Sequence, residues 1–541
     1  MHSSVLFVLA LALSSKAEPT RLVSDISKIT KYWGNLSPYS DNPDELFGVE
    51  YTGLPAGCQI ESVQTLQRHT ERFPTSHTLD TTIVRLSSKL HEFTSNHANP
   101  KFEGILSFLN SWQNPFDRGS FLTGPGAASQ FAAGVNFWNQ YGRILYNASS
   151  GQLAYNPNFP NGTARPPVVL RTTEQSRIHN SQINWALGFF GSSSQPKPDP
   201  FLTNATQPYE VVIIPEETKE KGNNTLAPYI SCKNFLSKTE LRRMGSLLQK
   251  DYIEDYITEA KERVQNLAPD GLNLNKDDVH AMQLLCAYET AFIGASSFCK
   301  LFSEEEWSGF ARSAEILFYY TFNYGNPTGR AQGIGYVQEM LARLNHSLIT
   351  SSSSSVNSTL TGNPATFPTN QAFYADFSHD DVLISALAAL SIEYFHSPPN
   401  VTQYPPESDS KHTLSQVIPF GARLVTETIG CDSANPKPRR FPTIHYKFGQ
   451  DGYEASKATH KFVRMRLNNG IVPLNTIRDG VCGDEKTGRI DGMCALKDFV
   501  SNQEKITALA NYQYACFANY TIDDSTRGKD FDGTIFPSSN S

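Results

Sequence analysis

The sequence predicts an α/β protein, a sheet flanked by helices that carries a smaller, mostly α-helical inserted domain. Three observations predict it. The chain has 541 residues, more than one ordinary core needs, so two packed units are expected, one of them discontinuous in sequence. A short β-like run, a polar turn carrying cations or histidine, and an amphipathic helix recur in that order three times. Between the second and third recurrences, Lys238 to Leu348 reads as mainly helical pattern broken at Pro327. Strand-then-helix repetition argues for a sheet whose ligands sit at the carboxyl ends of its strands.

The first unit has Ile60 to Leu66 as its strand, a break at Pro74, and Ile83, Leu86, Leu90 and Phe93 along one helical face. In the second, Val168-Val169-Leu170 ends at Arg171, and helical pattern runs from about Glu174 to Phe190. In the third, Ala372 to Phe377 leads into Ser378-His379-Asp380, and Val382, Leu383, Ala386, Leu387 and Leu390 stripe the following helix. Ser192 to Pro208 reads as a Ser/Pro/Asn-rich loop. Ser351 to Pro364, SSSSSVNSTLTGNP, is low in complexity and is expected as an unpacked, glycosylated surface loop. The expected organisation is a signal peptide over 1–17, an α/β domain from 18–195 and 370–520, a mainly helical insert over 196–369, and a polar tail over 521–541.

Composition narrows the class. Hydrophobic residues make up 39% and charged ones 18%, with 35 Gly and 32 Pro, which fits a loop-rich globular protein and excludes coiled coil and disorder. Lys and Arg number 46 against 53 Asp and Glu, a net charge of −7. No basic track is present to neutralise a phosphate backbone, which argues against nucleic acid as a partner. The apolar run Val5 to Leu13, followed by Ser15-Lys16-Ala17, suits a cleaved leader and is too short to span a bilayer. No later segment reads as a membrane anchor. Eight cysteines form an even set that an exported chain oxidises to four disulfides, with the pairing left open by spacing alone. Nine N-x-S/T sequons begin at Asn35, Asn147, Asn161, Asn204, Asn223, Asn345, Asn357, Asn400 and Asn519 and agree with export. Neither C-x-x-C nor H-E-x-x-H occurs, so no structural zinc is expected.

The densest chemistry lies in Arg68-His69-Thr70-Glu71-Arg72-Phe73-Pro74-Thr75. Guanidinium forks match phosphate oxygens bidentately and stay charged at any relevant pH. Two such cations disfavour protonation of a neighbouring imidazole and keep it available as a nucleophile toward phosphorus in acid. By residue type alone this is also a pattern that a solvated loop can carry.

The segment resembles the R-H-G-x-R-x-P signature of the histidine acid phosphatases, and His379-Asp380 resembles that family's second signature. Thr65 to Thr75, Val169 to Gly191, Gly325 to Leu344, Ala372 to Leu387 and Val463 to Phe499 also look like secreted fungal acid phosphatases of the less phytate-selective branch. The resemblance implies a phosphoglycerate-mutase-like core and a cofactor-free, two-step hydrolysis of small-molecule phosphate monoesters, phytate included. By motif position it implies His69 as nucleophile, Asp380 as proton donor, and Arg68, Arg72, Arg171 and His379 on the phosphoryl oxygens. It also implies the disulfides Cys58–Cys431, Cys232–Cys516, Cys286–Cys299 and Cys482–Cys494, an extracellular or wall-associated location, and assembly into homo-oligomers. Asp381 beside Asp380 leaves the acid ambiguous by chemistry; the family pattern selects Asp380.

One departure stands out. Thr70 occupies the place of the family glycine, where a β-branched residue needs a negative φ or takes on strain. That substitution motivates the alternative of a catalytically degenerate glycoprotein with a binding role; a phosphoglycerate-mutase-like phosphotransferase is the other alternative. Thr75-Ser76-His77-Thr78-Leu79-Asp80 offers no permanent cation, which favours a broad phosphatase over a dedicated phytase.

Overall fold

In a computed structural model, residues 21–537 are described except 24, 98–100, 192–207, 217–221, 408–412, 484–488 and 524–526. The expected leader, most of the Ser/Pro/Asn-rich loop and the Asn204 sequon lie outside the described residues. The strands are β1 Cys58–Arg68, β2 Val168–Thr173, β3 Tyr209–Ile214, β4 Phe373–Ser378, β5 Arg423–Cys431, β6 His460–Leu467, β7 Gly470–Ile471 and β8 Cys494–Ala495. They form one mixed sheet in the order β3-β2-β4-β1-β5-β6-β7, with β8 against β6. β3, β2, β4 and β1 run parallel, whereas β5 and β6 are antiparallel to their neighbours. The carboxyl ends of β1, β2 and β4 therefore meet on one edge.

Alternation along the strands fills both faces of the sheet. Leu66, Leu424 and Met465 pack with the helices Gly329–Leu344 and Asp380–Ala389. Val63, Val425 and Phe373 pack on the other face with Gly124–Phe137 and Ser176–Phe190, through Phe137, Trp185 and Phe189. A third core builds the helical unit. It joins Ile29, Trp33 and Leu79 to Phe116 with the helices Thr239–Tyr256, Thr258–Leu267, Lys276–Ile293 and Glu304–Phe322. Capping boxes start the last two, Asn275 with Asp278 and Ser303 with Glu306, and the chain breaks between Phe322 and Gly329 around Pro327.

Three expectations are corrected here. The helical unit does not coincide with 196–369: β3 within that span pairs with β2, Gly329–Leu344 covers the sheet, and residues before position 120 complete the helical core. Position in the chain does not set packing; apolar faces do. The serine-rich stretch is packed, because Ser355, Val356 and Thr361 are buried and Ser354 Oγ donates to Gln338 at 2.6 Å. The polar tail is docked over its described part: Asp530 accepts from Tyr319 and lies 2.9 Å from His396, and Asp532 pairs with Arg330 and Arg478.

All eight cysteines are paired, as Cys58–Cys431, Cys232–Cys516, Cys286–Cys299 and Cys482–Cys494, the pairs the resemblance implies. Cys58–Cys431 joins β1 to β5 across 373 residues of chain. The double variant Cys58→Ser/Cys431→Ser should lose about 2–5 kcal/mol of stability, read from denaturant unfolding.

Candidate active site

β1 hands directly into the R-H-T-E-R segment, and backbone bonds fix the exit. Arg68 N–H donates to Ala422 at 2.8 Å, His69 N–H to Ser378 at the end of β4 at 3.2 Å, and Gly421 N–H to His69 O at 2.9 Å. Two glycines admit the loop. A Cβ on Gly126 would lie 2.2 Å from Glu71 O, and Gly421, at φ +69°, brings its backbone against Thr70. Thr70 itself keeps a negative φ. Its side chain uses the space, with Oγ1 donating to Gly126 O at 2.6 Å. The strain that the missing glycine threatened is absent.

The Thr70 carbonyl lies 2.8 Å from His69 Nδ1. A carbonyl only accepts, so Nδ1 carries the hydrogen and the neutral ring presents the lone pair of Nε2. Burial depresses the His69 pKa well below its ordinary 6.5, and Arg68, Arg177, Arg72 and His379 push it the same way. The result is an unprotonated imidazole inside a ring of cations.

Arg68 is fully buried. It donates through Nη1 to the Asn35 and Ile418 carbonyls, pairs through Nη2 with Asp380 Oδ2 at 2.7 Å, and lies over the Phe420 ring. Arg72 donates to Phe73 O at 2.9 Å and faces Tyr288 of the helical unit. His379 caps the helix Asp380–Ala389. Its Nε2 lies 3.2 Å from Glu216, and its Nδ1 lies 3.4 Å from Arg177 Nη2. Burial raises the Glu216 pKa, but His379, Thr173 and Tyr229 outweigh it and hold the carboxyl at about 2.

The two aspartates separate. Asp380 Oδ2 takes Arg68 and the Asn35 amide, the latter at 3.0 Å. Burial opposes ionisation there, yet Arg68 and Arg72 win and keep Asp380 low. Asp381 turns to the Val382 N–H at 2.8 Å, and burial holds its carboxyl high. Asp380 is the carboxylate that faces the cationic cluster.

Arg171 is a correction. Its side chain is buried in the sheet, with Nη2 2.6 Å from Glu339 and Nε 3.2 Å from Asp376, which Arg343 also clamps. β2 continues through Thr172-Thr173, so Arg171 sits inside the strand, beside Asp376 of β4. The arginine brought to the site is Arg177, in the first turn of Ser176–Phe190, where a strand-to-helix connection faces ligand. That connection is the sequence signal for it. Asn35, Glu216 and Tyr229 carry no comparable signal; only folding brings them in.

Among the described residues no group of three or more His, Cys, Asp or Glu is arranged to hold a metal ion. A cavity of about 760 Å³ is lined by Tyr39, Asp41, Arg312, Glu315 and Gln416 without His69 or the three site arginines. Its mixed charge offers no comparable chemistry.

Residues 59–468 match the family model of the histidine phosphatase superfamily, branch 2. The chain is 30% identical over 477 residues, 86% of each chain, to Phytase A of Aspergillus fumigatus, and 27% identical over 499 residues, 91% of each, to Phytase A of Aspergillus oryzae. Its fold is similar to the crystal structure of the phytase from D. castellii, with a TM-score of 0.64 at 21% identity over 94% of this chain and 92% of that one.

The buried, neutral His69 has a linkage consequence. Its folded pKa lies below its unfolded value of 6.5, so below that pH the unfolded chain binds the extra proton and stability falls with pH. The variant His69→Asn should remove up to about 1.4 kcal/mol per pH unit from that slope, read from denaturant unfolding between about pH 4.5 and 6.5.

Proposed function

This chain belongs to branch 2 of the histidine phosphatase superfamily, and we propose that it is a secreted acid phosphatase hydrolysing phosphate monoesters through a phosphohistidine, with phytate in its range. It is a phosphoric monoester hydrolase. The observation that carries the mechanism is the neutral His69, oriented by Thr70 O and surrounded by Arg68, Arg72 and Arg177.

A phosphoryl group entering this site has its charge spread over three guanidinium groups and His379, which supplies the electrostatic stabilisation that phosphoryl transfer needs. His69 Nε2 attacks phosphorus; the N–P bond forms as the P–O bond to the alcohol breaks. Asp380 gives its proton to the departing oxygen. Water then attacks phosphorus, Asp380 takes back the proton, and inorganic phosphate leaves with His69 restored. In the free protein Asp380 is a carboxylate because Arg68 faces it. Bound phosphate takes a share of Arg68 and adds negative charge nearby, and both changes favour the protonated acid. This is the physical origin of an acid optimum.

Substrate breadth is read from the segment that follows Arg72. Phe73, next to Arg72 in sequence, packs edge-on against Phe292 and Phe116 of the helical core, with ring centroids 4.6 and 5.5 Å away respectively. Thr75 to Thr78 adds no permanent cation. A segment without permanent cations suits varied leaving groups over a highly anionic polyphosphate. Four disulfides support an oxidising, extracellular setting. No helix among the described residues is long and apolar enough to cross a membrane.

The test is hydrolysis of p-nitrophenyl phosphate and phytate across the acid range with EDTA present. The reading predicts EDTA-resistant turnover of both, reduced about 10³-fold or more by His69→Ala. Arg177→Ala should cost both substrates in kcat/KM, whereas Arg171→Met should lower stability while the folded enzyme keeps its KM. Asp380→Asn should slow alkyl phosphates about 10²- to 10⁴-fold and p-nitrophenyl phosphate far less, since only a poor leaving group needs the proton. Equal losses on both esters remove Asp380 from that role.

A further inference from the structure

We propose that Asn35 is a positioning residue for the proton donor Asp380, and that the Asn35-Leu36-Ser37 sequon stays unglycosylated because its amide is committed there. The inference rests on the role given to Asp380 above.

Asn35 lies in the short turn Gly34–Leu36, 345 residues away from Asp380 in sequence. It reaches both partners of the Arg68–Asp380 pair through different groups. Its side-chain Nδ2 donates to Asp380 Oδ2 at 3.0 Å, and its backbone carbonyl accepts from Arg68 Nη1. The turn is anchored on both sides. Trp33 is buried against Trp307 in the helical unit, Leu36 is buried, and Ser37 O accepts from the N–H of Phe420, whose ring lies under Arg68. Asp380 Oδ2 thus receives two donors, while Oδ1 meets only the Asp381 N–H, at 3.2 Å. This arrangement assigns the transferable proton to Oδ1 and fixes its direction.

A glycan on Nδ2 would place a sugar between Asn35 and the carboxylate, inside the cationic cluster. The other sequon asparagines with engaged amides donate elsewhere: Asn223 to the Ser354 and Val356 carbonyls and Asn400 to Gln403. Neither occupies a site of reaction.

The titratable groups that face Asp380 are Arg68 at the end of β1, Arg72 after it, Arg177 from the helix after β2, and His379 and Asp381 at the start of its own helix. Asn35 is the neutral donor among them. With the charges unchanged, removing it withdraws one stabiliser of the carboxylate and leaves the acid protonated to higher pH.

The experiment compares kcat against pH for an alkyl phosphate and p-nitrophenyl phosphate in the parent protein, Asn35→Ala and Asn35→Gln, with glycan mapping of the Asn35 peptide in the secreted parent. We expect Asn35→Ala to move the alkaline limb for the alkyl ester upward by about half to one pH unit and to lower its kcat more than that of the aryl ester. Asn35→Gln, which keeps the donor, should return the limb toward the parent position, and the Asn35 peptide should carry no glycan. An active parent whose limb does not move in Asn35→Ala, or which carries a glycan at Asn35, overturns this inference alone. A parent without activity on either ester overturns the phosphatase reading as well.

Discussion

The structure turns on holding three guanidinium groups, two of them buried and the third partly so, beside a neutral imidazole. Like charges at this distance repel, and burial penalises each one. The arrangement holds because every cation has its own anchor. Arg68 has Asp380, two carbonyls and the Phe420 ring; Arg72 has Phe73 O and Tyr288; Arg177 has His379, which Glu216 supports from behind. The same cations suppress protonation of His69, so the feature that binds an anion also prepares the nucleophile. Charge balance remains short of an anion until a phosphoryl group arrives.

That constraint explains the architecture. Three parallel strands deliver Arg68-His69, Arg177 and His379-Asp380 from one sheet edge, and the helical unit closes the opposite side with Tyr288 and the N-terminal turn carrying Asn35. The site is therefore a seam between two cores. Thr70 shows how local packing accommodates a departure from family pattern: with Gly126 and Gly421 around it, the threonine keeps a negative φ and still offers its carbonyl to His69.

Much of this is legible in the sequence where chemistry and periodicity coincide. The first and third strand-helix units are read from local pattern, whereas His69, His379 and Asp380 are singled out by the family motifs they resemble. The resemblance places Arg171 on the phosphoryl oxygens, and a strand read as ending there, two residues early, leaves a buried arginine at the site's edge. Thr172 and Thr173, both β-branched, are the signal for a longer strand. The serine-rich stretch packs through backbone and hydroxyl bonds that composition does not express, and the tail docks through Asp530 and Asp532 onto partners distant in sequence. The Asn35 sequon carries no information about the Asp380 carboxylate that its amide faces. Long-range pairing, not local propensity, decides these cases.

The central claim is that the buried, neutral imidazole of His69 forms the covalent intermediate. The direct measurement is a rapid alkaline quench of Asp380→Asn turning over a phosphorus-radiolabelled aryl phosphate, followed by peptide mapping. The account predicts label on the peptide bearing His69, stable in alkali and lost in acid, approaching one phosphoryl group per chain. Continued turnover with label on another residue, or with none on any histidine, would contradict it.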